Sequence, residues 1–278
     1  MEQPLRYHPL TACPGLTEEI PPCPELRPYV RCFWRSTGAR QLLVVPDTCM
    51  DLLFVTEQGQ SSVRFCGLDD RAYISAPSQG EIFGIRFYAW AAESFADDGL
   101  ERTFCGAFAG EQHFTRLCRL LRPFLNCGSF SQKVHAAQRA LLACLRPRTN
   151  RLVGEAVGTL LLRRGTLSTA ALAGELHIST RQLEREMYKV LGVGPKRLSD
   201  LVRYQFLWQE LLLDPRFQIQ DAVQKYGFSD QAHLQNTFKK YHSMTPRQAL
   251  VYAREGCRNF TIQTAETMLK YGKRRYEP

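Results

Sequence analysis

The sequence predicts an α+β chain. Its N-terminal half should be a β-sandwich or barrel with two covering helices. Its C-terminal half should be all-α, with two helix-turn-helix units joined by a long helix. Three observations predict this. Short β-rich runs are confined to residues 29–90. The apolar period shifts toward about 3.6 residues after Trp90. Two segments of the C-terminal half repeat each other at a spacing of 50–51 residues.

Residues 1–28 are proline-rich, with Pro21-Pro22-Cys23-Pro24 as a stiff extended piece, and are expected to be irregular. The runs Tyr29–Arg35, Gln41–Val45, Asp51–Thr56, Ser62–Cys66, Ala72–Ser75 and Glu81–Tyr88 are broken by turn residues, as antiparallel strands are. His113–Leu125 then sets Phe114, Leu117, Leu120, Leu121 and Phe124 on one helical face, and Ser131–Leu145 follows as a second helix. These two either cover the β domain or pair with another subunit. Arg146-Pro-Arg-Thr-Asn150 reads as a linker, and residues 151–254 read as helical. The expected organisation is 1–147, 148–253 and a basic extension at 254–278, where Thr261–Tyr271 adds a possible last helix before Lys273-Arg-Arg275.

No run of about 18 apolar residues occurs, so no membrane span is expected. The start, Met1-Glu-Gln-Pro-Leu-Arg6, lacks the basic cluster and apolar stretch of a secretion signal, so a cytoplasmic protein is expected. Ten cysteines include no Cys-x-x-Cys pair, and nine precede residue 150. Buried free thiols are one reading, and a redox or thiolate sensor the other. Neither a cofactor nor a metal is expected, since residues 29–90 contain no histidine. The net charge of +9 is unevenly placed: residues 1–147 hold 15 Lys+Arg and 15 Asp+Glu, whereas residues 148–278 hold 21 against 12. One half is built to meet a polyanion and the other is not.

The repeat says which polyanion. Its first copy runs from Ala171 to Pro195 and its second from Asp221 to Pro246, with Ser179 and Ser229 standing 50 apart and Leu183/Leu234, Met187/Phe238 and Pro195/Pro246 standing 51 apart. Each copy has a short first helix with closely spaced small apolar residues (Leu172, Ala173, Leu176; Ala222, Val223, Tyr226). A turn follows at His177 or Gly227, where a left-handed residue is favoured. Ser179 and Ser229 are expected to cap the next helix, whose polar face would enter a major groove. Ordinary helical hairpins are the plainer alternative. Two copies at matched spacing in the basic half favour duplex DNA.

The segment Gly227-Phe-Ser-Asp-Gln-Ala-His-Leu-Gln-Asn-Thr-Phe-Lys-Lys-Tyr-His-Ser-Met-Thr-Pro246 closely resembles the signature of the AraC/XylS transcription regulators. Leu183-Glu-Arg and Leu191-Gly-Val-Gly-Pro-Lys196 resemble the first half of the same domain. The resemblance covers residues 151–253 and implies seven helices, with a connecting helix near Pro195–Leu213. The family usually has glycine where Ser243 stands. Its members commonly place a sensory β domain first, and Val45-Pro-Asp-Thr-Cys-Met-Asp-Leu-Leu-Phe54 with Phe83-Gly-Ile-Arg-Phe87 resembles its cupin-like version. RNA polymerase and a second copy of the chain are possible partners on this basis.

Counted from the caps, Arg181, Gln182, Glu184 and Arg185 in the first recognition helix, and Gln231, Gln235 and Asn236 in the second, are the expected base contacts. Arginine can bond guanine, Gln and Asn adenine, and Glu the cytosine amino group. Arg185 also matches the family position where arginine commonly reads bases. Ser179, Lys189, Lys196, Arg197, Ser229, Lys239, Lys240 and Arg247 are expected on phosphates, which fix register without reading sequence. Two such helices in one chain can meet major-groove faces roughly 34 Å apart, so a dimer is not required for binding.

In the N-terminal half, Arg86 interrupts an apolar strand and needs a partner. Either Asp47 or Asp51 pairs with it, or it receives the carboxylate or phosphate of an unknown small-molecule effector, with Trp34, Phe54, Tyr88 and Trp90 as apolar walls. A thiol response through Cys49 or Cys66 is a rival. An enzyme fused to a DNA-binding module is disfavoured, because no compact Cys/His cluster surrounds an activated nucleophile. A ligand-independent regulator, whose N-terminal half only dimerises or contacts proteins, is the remaining class.

Overall fold

A computed structural model describes residues 7–38, 42–75, 80–125, 128–146 and 150–254. Residues 147–149 of the expected linker, and the extension beyond Arg254 with its helix at Thr261–Tyr271, lie outside the described residues, while Asn150 caps the helix that follows.

The N-terminal half is built on a six-stranded antiparallel sheet. Its strands are β1 (Glu18–Ile20), β2 (Val30–Thr37), β4 (Cys49–Glu57), β5 (Gln60–Cys66), β7 (Glu81–Tyr88) and β8 (Ala107–Ala109), in the order β1-β2-β7-β4-β5-β8. A separate ribbon pairs β3 (Leu43–Val44) with β6 (Tyr73–Ile74). The β4–β5 hairpin turns at Gln58 and Gly59, both at positive φ (50° and 80°), which suits a tight turn matched to strand twist. Two strands escaped the sequence pattern. Residues 18–20 sit in the proline-rich segment read as irregular, yet they pair with residues 33–35. Both missed strands have three residues, too few to show alternation.

Strand alternation divides the sheet into two unlike faces. Phe33, Leu52, Phe54, Phe65, Phe83, Ile85 and Phe87 fall on one face and are all fully buried. Helices α1 (Gly110–His113), α2 (Thr115–Leu125) and α3 (Phe130–Cys144) follow in the chain. Phe114 stacks on Phe87 (ring centroids 5.9 Å) and Phe130 meets Phe83 edge-on (6.1 Å), so the helices close that face. On α2 the buried residues are Leu117, Cys118, Leu121 and Leu125, while Leu120 and Phe124 remain 39% and 47% exposed. The predicted face was therefore turned by one position, because Cys118 was not counted as apolar.

The C-terminal half contains α4 (Arg151–Leu162), α5 (Thr169–Glu175), α6 (Thr180–Leu191), α7 (Pro195–Leu213), α8 (Ile219–Lys225), α9 (Gln231–His242) and α10 (Pro246–Arg254). Pairs α5/α6 and α8/α9 are the two helix-turn-helix units, and α7 connects them. Ser179 caps α6, its hydroxyl accepting from the Gln182 N–H at 3.2 Å. Ser229 does not cap α9. Asp230 does, accepting from the His233 N–H at 2.7 Å, and this bond holds its carboxyl below the usual range. A carboxylate accepts such a bond more strongly than a hydroxyl. The caps Ser179 and Asp230 are thus 51 apart, as are the buried pairs Leu183/Leu234 and Met187/Phe238. The extra residue of the second copy lies in the turn after Gly227, before the helix begins. His177 (φ 55°) and Gly227 (φ 64°) both take the left-handed turn.

The two halves share a buried seam along α7. Gln205, with no solvent exposure, accepts from the Leu10 N–H (2.8 Å) and donates to the carbonyls of Leu10 (3.2 Å) and Pro46 (2.8 Å). Trp208 Nε1 donates to the Thr11 carbonyl (3.0 Å), and the Tyr7 and Phe206 rings meet at 5.0 Å. The segment before β1 is therefore anchored to the helical C-terminal half as well as to its own sheet domain. No helix among the described residues is long and apolar enough to cross a membrane.

Candidate nucleic-acid interface and ligand cavity

Helix α6 is anchored by buried Leu183, Met187, Val190 and Leu191. Its opposite face presents Arg181, Glu184, Arg185 and Tyr188, spaced i, i+3, i+4, i+7, with Gln182 and Lys189 beside them. All six are exposed. The Arg185 guanidinium lies along the Glu186 carboxylate, with Nη2 at 3.0 Å and Nε at 3.1 Å from Oε1. Asn150 Nδ2 donates to the other oxygen at 3.1 Å. Arg185 and then Asn150 hold the Glu186 carboxyl below its ordinary range. Glu186 therefore points the arginine from behind and leaves its outer N–H groups free.

Helix α9 is anchored by Leu234, Phe238, Tyr241 and His242. Applying the 51-residue register set by the caps, Gln235 is the counterpart of Glu184, Asn236 of Arg185 and Lys239 of Tyr188. Gln231 corresponds to Thr180, at the very start of the helix, while His233 corresponds to Gln182. Asn236 and His233 are exposed and Gln235 is half-buried. Tyr188 and His233 were not among the residues expected from sequence, where the second helix was counted from Ser229 and not from Asp230.

Among the residues expected on phosphates, Lys189, Lys239, Lys240, Arg247 and the two serines are exposed. Lys196 pairs with Asp200 one turn along α7, at 2.8 Å. Arg197 departs from the expectation. Its Nη1 donates to Asp70 Oδ2 of the N-terminal half at 2.8 Å, and its guanidinium lies 4.9 Å from the Phe104 ring centre. Glu184, Tyr188, Lys196, Arg197 and Lys240 border one cleft between the two units.

The other face of the sheet borders a cavity of about 200 Å³. Trp34, Ser36, Asp51, Leu53, Cys66, Ile82 and Arg86 come from alternate positions of neighbouring strands, so they share that face. The Trp34 ring lies across Gly84, where a Cβ would come within 2.2 Å of Cε2, and its Nε1 donates to Asp51 Oδ1 at 2.9 Å. Any larger residue at position 84 would push this wall aside. Arg86 donates to Asp51 Oδ2 at 2.8 Å and also to Asp47, so both expected carboxylates take it. Burial pushes the Asp47 carboxyl up, against the pull of Arg86. Phe54 has the wrong strand parity for the cavity and packs on Phe83 in the core, and Leu53 takes the place foreseen for it. Tyr88 and Trp90 stack on each other (5.0 Å) beyond the cavity lining. The remaining walls come from the N-terminal segment, including Cys13, from the β3–β6 ribbon, and from Tyr252 of α10.

Cysteine chemistry finds little support at this site. Burial pushes the Cys32 and Cys66 thiols up to about 12 and raises Cys49 well above its ordinary value, which disfavours the reactive thiolate. Among the described residues no group of three His, Cys, Asp or Glu side chains could hold a metal ion.

Two helix-turn-helix units on one connecting helix, with basic and amide-bearing side chains on both outer faces, define a DNA-binding protein. Residues 172–250 match the helix-turn-helix domain family, and residues 18–102 match a domain family of unknown function. No curated protein matches the chain. Solved structures similar to it include an AraC-type regulator from Chromobacterium violaceum (27% identity, 37% of this chain and 92% of that one, TM-score 0.34). ToxT from Vibrio cholerae is similar at 11% identity over 79% of this chain and 96% of its own, with a TM-score of 0.41. ToxT with a bound unsaturated fatty acid is similar at 14% over 78% and 93%, also with 0.41. The chain is a DNA-binding transcription regulator whose residues 172–250 form a helix-turn-helix domain.

Proposed function

We propose that this regulator reads an asymmetric duplex site with α6 and α9 together, and that a small molecule in the sheet-face cavity sets its DNA affinity. The observation that carries the coupling is the shared wall. Tyr252, from the DNA-binding half, lines the same cavity as Trp34, Asp51 and Arg86. An occupant that contacts both halves changes how the seam along α7 is held, and only such differential contact can shift the protein between states.

Arg181, Glu184, Arg185, Tyr188, His233, Gln235 and Asn236 are the assigned base-facing groups, and Lys189, Lys239, Lys240 and Arg247 the phosphate contacts. Leu120 and Phe124 on α2, with Leu142 on α3, are the large exposed apolar residues of the described N-terminal half, and we assign them to a second copy of the chain. The division at residues 1–147 and 148–253, contact with RNA polymerase, a cytoplasmic location and the absence of catalysis belong to the same reading.

The test is selection of bound sequences from random duplexes, with wild type and Arg185→Ala. Two short motifs about one helical turn apart are expected, with information lost at one position in the variant, because a bidentate arginine–guanine pair contributes about 1–3 kcal/mol of discrimination. Binding that follows only salt, with no motif with or without added small molecules, defeats the proposal.

A further inference from the structure

The charge of the cavity's occupant is written in its lining. This inference rests on the reading of the cavity as an effector site. Leu43, Leu53 and Ile82 with the rings of Trp34, Tyr73 and Tyr252 make most of the wall apolar and aromatic. The charged residues that line it are Glu19, Asp51 and Arg86, and no lysine is among the described lining residues.

Arg86 is not available to an anion. It already serves Asp51 and Asp47, both on the same side of the sheet. A carboxylate ligand would have to draw the guanidinium away from two buried partners while facing Asp51 and Glu19 at close range. Three carboxylates (Glu19, Asp47, Asp51) stand against two guanidiniums here, the second being Arg31, 3.4 Å from Glu19. An incoming donor meets the opposite situation. A carboxylate has about four acceptor positions, and Asp51 has two of them occupied, by Trp34 Nε1 and Arg86 Nη1. Aromatic walls also suit a cation better than an anion, because ring faces carry negative potential.

We propose that the cavity takes a small apolar molecule carrying a protonated amine, held by Asp51 and Glu19, and rejects carboxylates of the same shape. Calorimetric titration of the full chain with 3-phenylpropylamine, 3-phenylpropanol and 3-phenylpropionate tests this. The amine should bind at least about tenfold tighter than the carboxylate, with the alcohol between them, as charge-assisted bonds require. Asp51→Asn should weaken the amine by about tenfold and leave the alcohol nearly unchanged. Glu19→Gln, which leaves the pairs of Arg86 with Asp47 and Asp51 intact, should act in the same direction and guards against a folding defect in the first variant. Leu53→Trp should fill the space and abolish all binding. Carboxylate binding as tight as the amine's, lost in Leu53→Trp, overturns the charge assignment while leaving the effector site standing. No binding of any probe to wild type, or binding that survives Leu53→Trp, overturns the site itself.

Discussion

Arg197 Nη1 and Asp70 Oδ2 meet at 2.8 Å across the boundary between the β half and the DNA-binding half. Arg197 stands at the start of α7, bordering the cleft between the two helix-turn-helix units, where a phosphate would otherwise be its natural partner. Asp70 is mostly buried and pairs with Arg71 as well, at 3.4 Å. We propose that the carboxylate competes with DNA for the guanidinium. Asp70→Asn should raise affinity for the selected duplex severalfold and steepen its salt dependence by about one counterion. Arg197→Ala alone should change little. Anisotropy titrations between about 50 and 200 mM salt measure both effects. An unchanged slope in Asp70→Asn would mean that Arg197 takes no part in phosphate contact.

Helical DNA-binding elements were legible in the sequence because repetition reinforced each signal. The long connecting helix, expected near Pro195–Leu213 from the resemblance to the AraC/XylS regulators, spans those residues. The cap of α9 was misplaced because serine and aspartate both cap well and stand side by side at positions 229 and 230. The ion pair of Arg86 was foreseen from a lone charge in an apolar strand. The cavity was foreseen only in part: Trp34, Asp51 and Arg86 line it as expected, but its far walls come from residues 11–17, the β3–β6 ribbon and Tyr252, which no local pattern links to the sheet. Parity explains the misplaced Phe54: Asp51 and Leu53 share one face, and Phe54 must lie on the other.

Gln205 is the polar knot of the seam. Gln205→Leu would leave the Leu10 N–H and the carbonyls of Leu10 and Pro46 without partners in a dry interface, at a cost of about 1–3 kcal/mol. Gln205→Glu would keep an acceptor for Leu10 and lose both donors, so it should also destabilise. Urea denaturation reads the loss, and limited proteolysis should show earlier cleavage within residues 7–13. Wild-type stability in both variants would mean that the segment does not depend on this residue.

Gly192 and Ser243 occupy the same position in the two repeats, each ending its recognition helix in the left-handed conformation (φ 69° and 58°). An L side chain there costs about 1–2 kcal/mol. Ser243→Gly should therefore stabilise the protein by about 0.5–1 kcal/mol, after the entropy glycine adds to the unfolded chain. Gly192→Ser should do the reverse and more, since its Cβ would sit 3.2 Å from the Glu101 carbonyl oxygen. Thermal melts of both single variants check the pair, and shifts of the same sign would contradict the account.

His242 should make folding sensitive to mild acid. Its ring is fully buried between Trp208 (4.6 Å) and Phe238 (5.0 Å). Nδ1 bonds the Tyr204 hydroxyl at 2.8 Å, while Nε2 has no partner. Burial lowers its pKa to about 3. Above about 6.5, the ordinary imidazole value, the ring is neutral in both folded and unfolded chains and pH has no effect through it. Below that value the unfolded chain binds a proton that the folded one refuses. Stability should then fall by up to about 1.4 kcal/mol per pH unit until the folded pKa is reached. His242→Phe removes the titrating group but strands the Tyr204 hydroxyl, so the variant should be weaker at neutral pH and flatter below it. Tyr204→Phe with His242→Phe removes both polar groups and should keep the flat profile while recovering stability. Denaturant midpoints at pH 7 and 5 distinguish the three chains, and an equal acid slope in all of them would place the sensitivity elsewhere.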